Sequence, residues 1–204
     1  MRDRSPDGRR AVFLDKDGTL VDDVPYNVDP RLIRLAPGAA EGLARLHDAG
    51  YLLLVVSNQS GVARGLFPES ALAEVEARLR ERVAEAGAEL AGFEYCPHFP
   101  GGIVAESAVA CGCRKPAPGM LVRAASGLGI DLGRSWMVGD ILDDVEAGHR
   151  AGCRSILLDN GHETEWGLAP GRRPEFLADD LDGAARRIVT ADRAADLLMI
   201  GGFA

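Results

Sequence analysis

Short apolar runs alternate along the chain with longer stretches in which apolar side chains recur every three or four residues. An uninterrupted apolar run is typical of a strand that is buried on both faces of a parallel sheet. The pattern therefore predicts five strands and a sixth, edge strand, over residues 12–14, 51–56, 93–95, 136–139, 155–158 and 176–177.

The stretches between these runs have the spacing of amphipathic helices. In the longest, Leu72, Val75, Leu79 and Val83 share one helical face, and the charged residues between them form a solvated surface. We predict helices over residues 39–49, 68–86, 118–128, 144–151 and 182–189. Strands that alternate with helices of this length are joined by right-handed crossovers. The predicted fold class is therefore α/β, with a doubly wound, Rossmann-like parallel sheet covered on both faces.

The composition fits one domain with a substantial core, since the chain has 204 residues of which 47% are apolar. We expect a flexible, charged tail over residues 1–10, one domain over residues 11–190 and an apolar C-terminal extension over residues 191–204. The net charge of −8 argues against nucleic acid as a partner. No apolar stretch has the length of a membrane span or the character of a signal peptide. We expect a cytoplasmic monomer.

Several of the predicted strands end in polar residues. Asp15 and Asp17 follow the first strand, Ser57 and Asn58 follow the second, and Asp140 follows the fourth. A carboxylate inside a strand would lose its hydration, so these residues belong at the carboxyl edge of the sheet, where open α/β sheets place their sites. Two neighbouring carboxylates repel each other unless a cation bridges them, and an oxygen-only site of this kind suits Mg²⁺.

The strand-end residues and one lysine together indicate phosphoryl transfer. Lys115 supplies a cation just before the helix predicted over residues 118–128. A carboxylate nucleophile, a metal, a fixed ammonium and hydroxyl or amide donors are the components of that chemistry. We expect all of them to converge on one crevice.

A second candidate site combines three cysteines with a histidine, namely Cys96, His98, Cys111 and Cys113. Three thiolates and one imidazole form a closed tetrahedral set of the kind that structural Zn²⁺ prefers. We predict a zinc ion that staples this loop, performs no chemistry and fixes the Lys115 segment that follows. The remaining cysteine and histidines lack partners at ligand spacing and are expected to be packing or surface residues: His47, His149, Cys153 and His162.

Four motifs of the chain, in this order, resemble those of the haloacid dehalogenase (HAD) superfamily of phosphatases. They are Asp15-x-Asp-Gly-Thr, the strand-end Ser57, Lys115-Pro, and Gly-Asp140 followed by Asp144. Within the superfamily, residues 57–65, 96–100 and 111–120 resemble the heptose bisphosphate phosphatases. Histidinol-phosphatase domains resemble the chain more distantly and share the zinc loop.

The resemblance implies a role for each matched residue. Asp15 would attack phosphorus to form an aspartyl-phosphate, and Asp17 would protonate the leaving oxygen and then activate water. Mg²⁺ would bind the carboxylates of Asp15 and Asp140 and the backbone carbonyl of Asp17. The phosphoryl oxygens would be held by Ser57, Asn58 and Lys115. The site would be supported from behind by Asp143 and Asp144.

The resemblance also implies the substrate contacts. Arg114 would meet a second phosphate, for which a forked guanidinium is suited. The remaining substrate-binding residues would be Asp23, Val24, Pro25, Tyr26, Asn58, Gln59 and Ser60. The segment between the first two motifs is too short for the helical cap domain of many HAD phosphatases, so selectivity must come from fixed loops. Ile141 stands where many heptose bisphosphate phosphatases carry a lysine, so the exact substrate and the preferred anomer stay open.

The expected function is hydrolysis of D-glycero-D-manno-heptose 1,7-bisphosphate to heptose 1-phosphate. One alternative is a phosphatase for histidinol phosphate or for another small sugar or polyol phosphate. A second alternative, from a different class, is a non-catalytic phosphate-binding protein. Asp15 and Asp17 argue against a pure binder, because binding alone does not need a nucleophile and an acid–base group two residues apart.

Overall fold

The computed structural model describes residues 8–201 of the chain. Six strands form one parallel sheet in the order β3-β2-β1-β4-β5-β6. The strands are β1 (Ala11–Leu14), β2 (Leu52–Asn58), β3 (Leu90–Cys96), β4 (Trp136–Gly139), β5 (Arg154–Leu158) and β6 (Phe176–Ala178). The α/β, doubly wound prediction is confirmed, and the edge position predicted for the sixth strand is also found.

Four α-helices connect the first five strands, and a fifth follows β6: α1 (Ala39–Asp48), α2 (Leu72–Glu85), α3 (Gly119–Leu128), α4 (Leu142–Ala151) and α5 (Leu181–Gly201). Short 3-10 turns cover Pro30–Leu32, Glu69–Ala71 and Leu132–Arg134. None of the helices in the described part of the chain is long and apolar enough to cross a bilayer.

The strand order creates a switch point beside β1. The chain leaves β1 towards β2 and β3 on one side and returns across the sheet to β4 on the other. At such a point two neighbouring crossovers depart in opposite directions, which opens a crevice at the carboxyl ends of the strands. The polar residues that follow β1 and β4, and those that end β2, all lie at this edge.

Alternate residues of β1 enter two separate cores, one on each face of the sheet. Val12 and Leu14 belong to the core that includes apolar residues of α1, α2 and α5. Ala11 and Phe13 belong to the core that includes apolar residues of α3 and α4. Because both faces are covered, the central strand is fully apolar, as the sequence pattern predicts.

β3 and α5 exceed their predicted bounds by the most residues. β3 begins at Leu90, before the predicted start at residue 93. The sequence pattern does not mark this start, because the edge strand is only half-buried and lacks a continuous apolar run. The helix predicted over residues 182–189 continues to Gly201, so the boundary expected at residue 190 falls within α5. Two residues past the predicted end, Asp192 is a buried acceptor for the side chains of Tyr51 and Trp136, which ties this part of α5 to the rest of the fold. The predicted tail and C-terminal extension otherwise fall partly on residues 1–7 and 202–204, which lie outside the described residues.

Candidate active site

Asp15 and Asp140 meet because they follow adjacent strands. Leu14 of β1 pairs with Val138 of β4, and the Asp15 N–H donates to the Val138 carbonyl at 2.9 Å. Both carboxylates are largely buried. One side-chain oxygen each from Asp15, Asp140 and Asp144 lies within 4.8 Å of the others. The first and fourth motifs of the sequence therefore form one acidic cluster at the switch point.

Lys115 enters this acidic cluster from the loop that precedes α3. Its ammonium lies 2.5 Å from Asp15 Oδ1 and 2.6 Å from Asp144 Oδ1, and it donates to the Val56 carbonyl at 2.8 Å. Burial lowers the pKa of Lys115, but the carboxylates of Asp144 and Asp15 outweigh burial and raise the pKa above its ordinary value. The lysine therefore stays charged and neutralises part of the cluster.

The acidic cluster carries more negative charge than one ammonium balances. Burial and the neighbouring charge of Asp15 raise the pKa of Asp140 to about 7, so the ionised form of this carboxyl is disfavoured until another cation arrives. Closely spaced, buried carboxylate oxygens that lack positive charge form a donor set that Mg²⁺ accepts. Asp15 and Asp140 thus fit the magnesium site that the sequence predicts.

Asp17 lies in the same loop but outside the acidic cluster. Its carboxylate pairs with the buried Lys16 ammonium at 2.7 Å. Burial raises the pKa of Asp17 in spite of Lys16. A raised pKa favours the protonated carboxyl that a general acid needs, so the environment of Asp17 suits its predicted role.

Gly18 allows the loop to turn and allows a histidine to approach Asp140. Its φ of +74° is in the left-handed region, and a Cβ here would lie 2.1 Å from Asp140 Oδ2 and 2.3 Å from His162 Nδ1. His162 Nδ1 itself lies 2.6 Å from Asp140 Oδ2. Asn160 Nδ2 donates to the Gly18 carbonyl at 2.6 Å, which ties the loop after β5 to the loop after β1.

The contact between His162 and Asp140 was missed by the sequence reasoning, which assigned this histidine to packing or surface. The signal that could have found it is the one that identified Asp15, Ser57 and Asp140. His162 follows a buried parallel strand, β5, and so belongs to the same edge of the sheet.

The residues at the end of β2 hold the Lys115 segment and each other. Asn58 Oδ1 accepts from the Lys115 N–H at 2.9 Å, and Asn58 Nδ2 donates to the Lys115 carbonyl at 3.1 Å. Ser57 Oγ accepts from Gln59 Nε2 at 2.8 Å, and both of these side chains are buried. The amide of Asn58 is therefore engaged in positioning the lysine, and its predicted contact with the phosphoryl group stays a prediction.

A cavity of about 250 Å³ adjoins Asp17. Its lining consists of Asp17, Asp23, Pro25, Tyr26, Asn58, Gln59, Ser60 and Gly61. The structure thus brings six of the seven residues predicted to bind the rest of the substrate to one cavity, and only Val24 is not part of the lining. The volume suits a small ligand.

Asp143 and Asp144, predicted to support the site together, lie in different surroundings. Asp144 is fully buried beside Lys115. Asp143 pairs with Arg172 at 3.0 Å, and Arg172 also pairs with Glu146 at 2.7 Å. Asp144 therefore belongs to the acidic cluster, whereas Asp143 holds the first turn of α4 to the loop before β6.

The predicted zinc ligands gather in one place. The sulfur atoms of Cys96, Cys111 and Cys113 lie 2.8, 3.3 and 3.5 Å apart, and His98 Nδ1 lies 3.3 Å from Cys113 Sγ. Four ligands around Zn²⁺, with Zn–S bonds of about 2.3 Å, place sulfur atoms about 3.8 Å apart at the corners of a tetrahedron. The cluster matches that arrangement after a small outward shift, so its donor set fits structural zinc.

Comparison with known proteins first defines the class. The family model described as HAD-hydrolase-like matches residues 112–184. A curated protein from Pseudomonas aeruginosa is 36% identical over 184 residues, covering 89% of this chain and 98% of its own length. The chain therefore belongs to the HAD superfamily of phosphatases.

The particular relatives are phosphatases of one sugar bisphosphate. The Pseudomonas aeruginosa protein is named D-glycero-beta-D-manno-heptose-1,7-bisphosphate 7-phosphatase. A Photorhabdus laumondii protein, 36% identical over 76% of this chain and 85% of its own length, is named for the alpha anomer. The D,D-heptose 1,7-bisphosphate phosphatase from B. bronchiseptica, solved with magnesium and phosphate, is 32% identical with a TM-score of 0.75 over 89% of this chain and 99% of that one.

Proposed function

We propose that the chain is a Mg²⁺-dependent phosphatase that hydrolyses D-glycero-D-manno-heptose 1,7-bisphosphate to heptose 1-phosphate. The observation that carries the proposal is the meeting of Asp15, Lys115 and Asp140, three residues that are far apart in the sequence, at the switch point of the sheet. The full-length relatives that are named for this reaction support the choice of substrate.

In the first step, an oxygen of the Asp15 carboxylate attacks phosphorus, and the bond from phosphorus to the sugar oxygen breaks. The leaving oxygen takes a proton from Asp17, whose raised pKa favours the protonated form. The products are heptose 1-phosphate, with a free hydroxyl in place of the transferred phosphate, and a phosphorylated Asp15. Lys115 keeps the Asp15 carboxylate in position and offsets negative charge as the two anions approach.

In the second step, Asp17, now ionised, takes a proton from water as the water oxygen attacks phosphorus. The acyl-phosphate bond breaks, which releases inorganic phosphate and restores Asp15. Asp15, Asp140 and the Asp17 carbonyl would hold Mg²⁺, which when bound would supply positive charge to offset the phosphate.

The cysteine–histidine cluster has a structural part in this proposal. Bound zinc would join Cys96 and His98 at the end of β3 to Cys111 and Cys113, directly before Arg114. The set leaves no coordination position open for water, so it contributes stability and no chemistry.

A substrate panel with and without Mg²⁺ tests the proposal. We expect turnover of heptose 1,7-bisphosphate that requires Mg²⁺ and is abolished in Asp15→Asn. Preference for histidinol phosphate over bisphosphates would favour the other phosphatase assignment. Absence of turnover for every phosphate ester, combined with retained phosphate binding, would leave the non-catalytic binder. Assays with the α and β anomers identify the one preferred, which relatives named for both anomers leave undecided.

A further inference from the structure

Two arginines and one aromatic ring form a separate cluster beside the cavity. This cluster has no part in the acidic cluster described above. The guanidinium carbon of Arg64 lies 4.1 Å from the centre of the Phe99 ring, and that of Arg114 lies 5.2 Å from the same centre. Arg64 also lies 5.8 Å from the ring of Tyr26, which lines the cavity. We name Arg64, Phe99 and Arg114 the arginine clamp.

Both arginines of the clamp carry buried donors with nothing to bind. Nε of Arg64 and Nη1 of Arg114 are shielded from solvent and have no hydrogen-bond partner in the described part of the chain. No carboxylate of residues 8–201 lies within 4.0 Å of either guanidinium. Buried polar groups are nearly always paired, and an unpaired one is a reason to look for a ligand.

The segment that carries Arg64 is fixed by backbone hydrogen bonds. The carbonyl of Ala63, next to Arg64, accepts from the N–H groups of Ile103 and Val104 at 2.8 and 3.0 Å. Gly102 allows this approach, since a Cβ there would lie 2.4 Å from the Ala63 oxygen. The loop that carries Arg64 is therefore attached to the zinc loop that carries Phe99.

The chemistry of the clamp selects a phosphate. Two like charges held near one ring repel each other unless an anion lies between them, and guanidinium groups donate in a fork that matches phosphate oxygens. Cation–π contact with Phe99 positions both guanidinium groups without using their N–H donors, which stay free for the anion. The carboxylates of the acidic cluster are not that anion, because none of them pairs with either guanidinium and Asp15 and Asp144 bind Lys115 instead.

We propose that Arg64 is a specificity-determining residue that acts with Arg114 on the phosphate that is not transferred. This inference rests on the proposed function and adds to it a residue that the motif-based assignment did not include. Arg64 binds this second, remote phosphate through its Nε–H, which has no other hydrogen-bond partner in the described part of the chain. Phe99 sets the spacing between the two guanidinium groups. The clamp thereby distinguishes a bisphosphate from a monophosphate without a cap domain.

The test compares two substrates that share the transferred phosphate and differ in the remote one: heptose 1,7-bisphosphate and heptose 7-phosphate. For Arg64→Gln we expect kcat/KM for the bisphosphate to fall about 10- to 100-fold, mainly through KM, as expected for a lost charged hydrogen bond. The value for heptose 7-phosphate should change less than about twofold. Arg64→Lys should recover part of the loss, because it keeps the charge but not the fork. Arg186→Gln, at an exposed arginine of α5, is the matched control and should leave both values unchanged.

A binding measurement that needs no turnover completes the test. By calorimetry, Arg64→Gln should weaken the binding of heptose 1-phosphate, the expected product, about tenfold or more. Equal losses for both substrates would mean that Arg64 only supports the fold, and unchanged kcat/KM and unchanged binding would mean that it contacts no phosphate; either result overturns the inference. If wild type binds heptose 1-phosphate through Arg64 but hydrolyses no bisphosphate, the proposed function fails and the clamp stands.

Discussion

Lys115 is the residue on which the charge balance of the site depends. It is buried between Asp15 and Asp144, and both carboxylates lie within 2.6 Å of its ammonium. Removing one partner of a buried ion pair leaves an uncompensated charge, which is far costlier than replacing both partners. The same contacts that stabilise the fold hold Asp15 in place as a nucleophile, so stability and activity are linked at this position.

The first prediction concerns Asn58, whose side chain forms two hydrogen bonds with the backbone of Lys115. We expect Asn58→Ala to destabilise the protein by about 1–2 kcal/mol and to lower kcat at least tenfold by releasing the lysine. Denaturant unfolding and steady-state kinetics measure the two effects. A raised KM with unchanged kcat and stability would show instead that Asn58 acts only by contacting substrate.

The second prediction concerns His162, which among the predicted metal ligands contacts Asp140 alone. A hydrogen bond to a ligating carboxylate orients it, and loss of such a contact typically weakens metal binding 10- to 100-fold. His162→Ala should therefore raise the Mg²⁺ concentration that gives half-maximal activity about tenfold, with Asn at this position recovering part of the effect. His47→Ala, at an exposed histidine of α1, serves as the control. An unchanged Mg²⁺ requirement in His162→Ala would contradict the assignment.

At the scale of elements, the zinc loop (residues 96–113) joins the sheet to the site. It leaves the end of β3, contains the cysteine–histidine cluster and leads directly into Arg114, beside Phe99, and Lys115, in the acidic cluster. A loop without secondary structure of its own has little intrinsic order, so a metal that cross-links its two ends supplies what packing does not. The position of the lysine therefore depends on the cluster.

Cys111→Ser makes the third prediction. Loss of one thiolate should lower the bound zinc, measured by atomic absorption, and reduce kcat/KM about tenfold or more because Lys115 is less well positioned. Cys153→Ala removes a buried thiol outside the cluster and should retain the zinc. Full zinc content and full activity in Cys111→Ser would refute the ligand set.

Glu175 makes the fourth prediction, at the start of the edge strand β6. Its carboxylate accepts from the Ser155 N–H at 2.6 Å and lies 3.1 Å from His149 Nε2. Burial opposes these contacts, but they outweigh it and lower the pKa of Glu175 below its usual value of 4.5. A lowered folded-state pKa adds stability above the unfolded-state pKa, and that stability is lost as the pH falls through the folded-state value.

Glu175→Gln should therefore be less stable than wild type at pH 7, and the difference should shrink as the pH falls below about 4.5. Thermal unfolding from pH 7 to pH 3 measures it. Glu89→Gln, at an exposed glutamate, should show no such trend. A stability gap that is constant across this range would mean that the Glu175 contacts do not depend on its charge.

At the scale of the whole molecule, one rule predicted the sheet and most of the site. Buried apolar runs that end in polar residues identify parallel strands and their carboxyl edge, and this rule placed Asp15, Ser57 and Asp140 correctly in the fold. It works because a charged group cannot continue a strand that is buried on both faces.

The remainder depends on contacts between segments far apart in sequence. α5 continues past its predicted end through Asp192, whose partners Tyr51 and Trp136 are far from it in sequence, so no local period predicts this part of the helix. Likewise, the contacts of Arg64 with Phe99 and of His162 with Asp140 join loops that are far apart in sequence. Periodicity reports which face of an element is buried but not which loops meet there.

Trapping of the phosphorylated intermediate tests the central claim most directly. The enzyme is mixed with heptose 1,7-bisphosphate and Mg²⁺, quenched within one turnover, reduced with borohydride and digested for mass spectrometry. Borohydride converts an aspartyl-phosphate to homoserine, so the account predicts homoserine at position 15, none in Asp15→Asn, and more in wild type than in Lys115→Met. Efficient turnover without homoserine at position 15, or with homoserine at position 17 or 140, would contradict the assignment of Asp15 as the nucleophile.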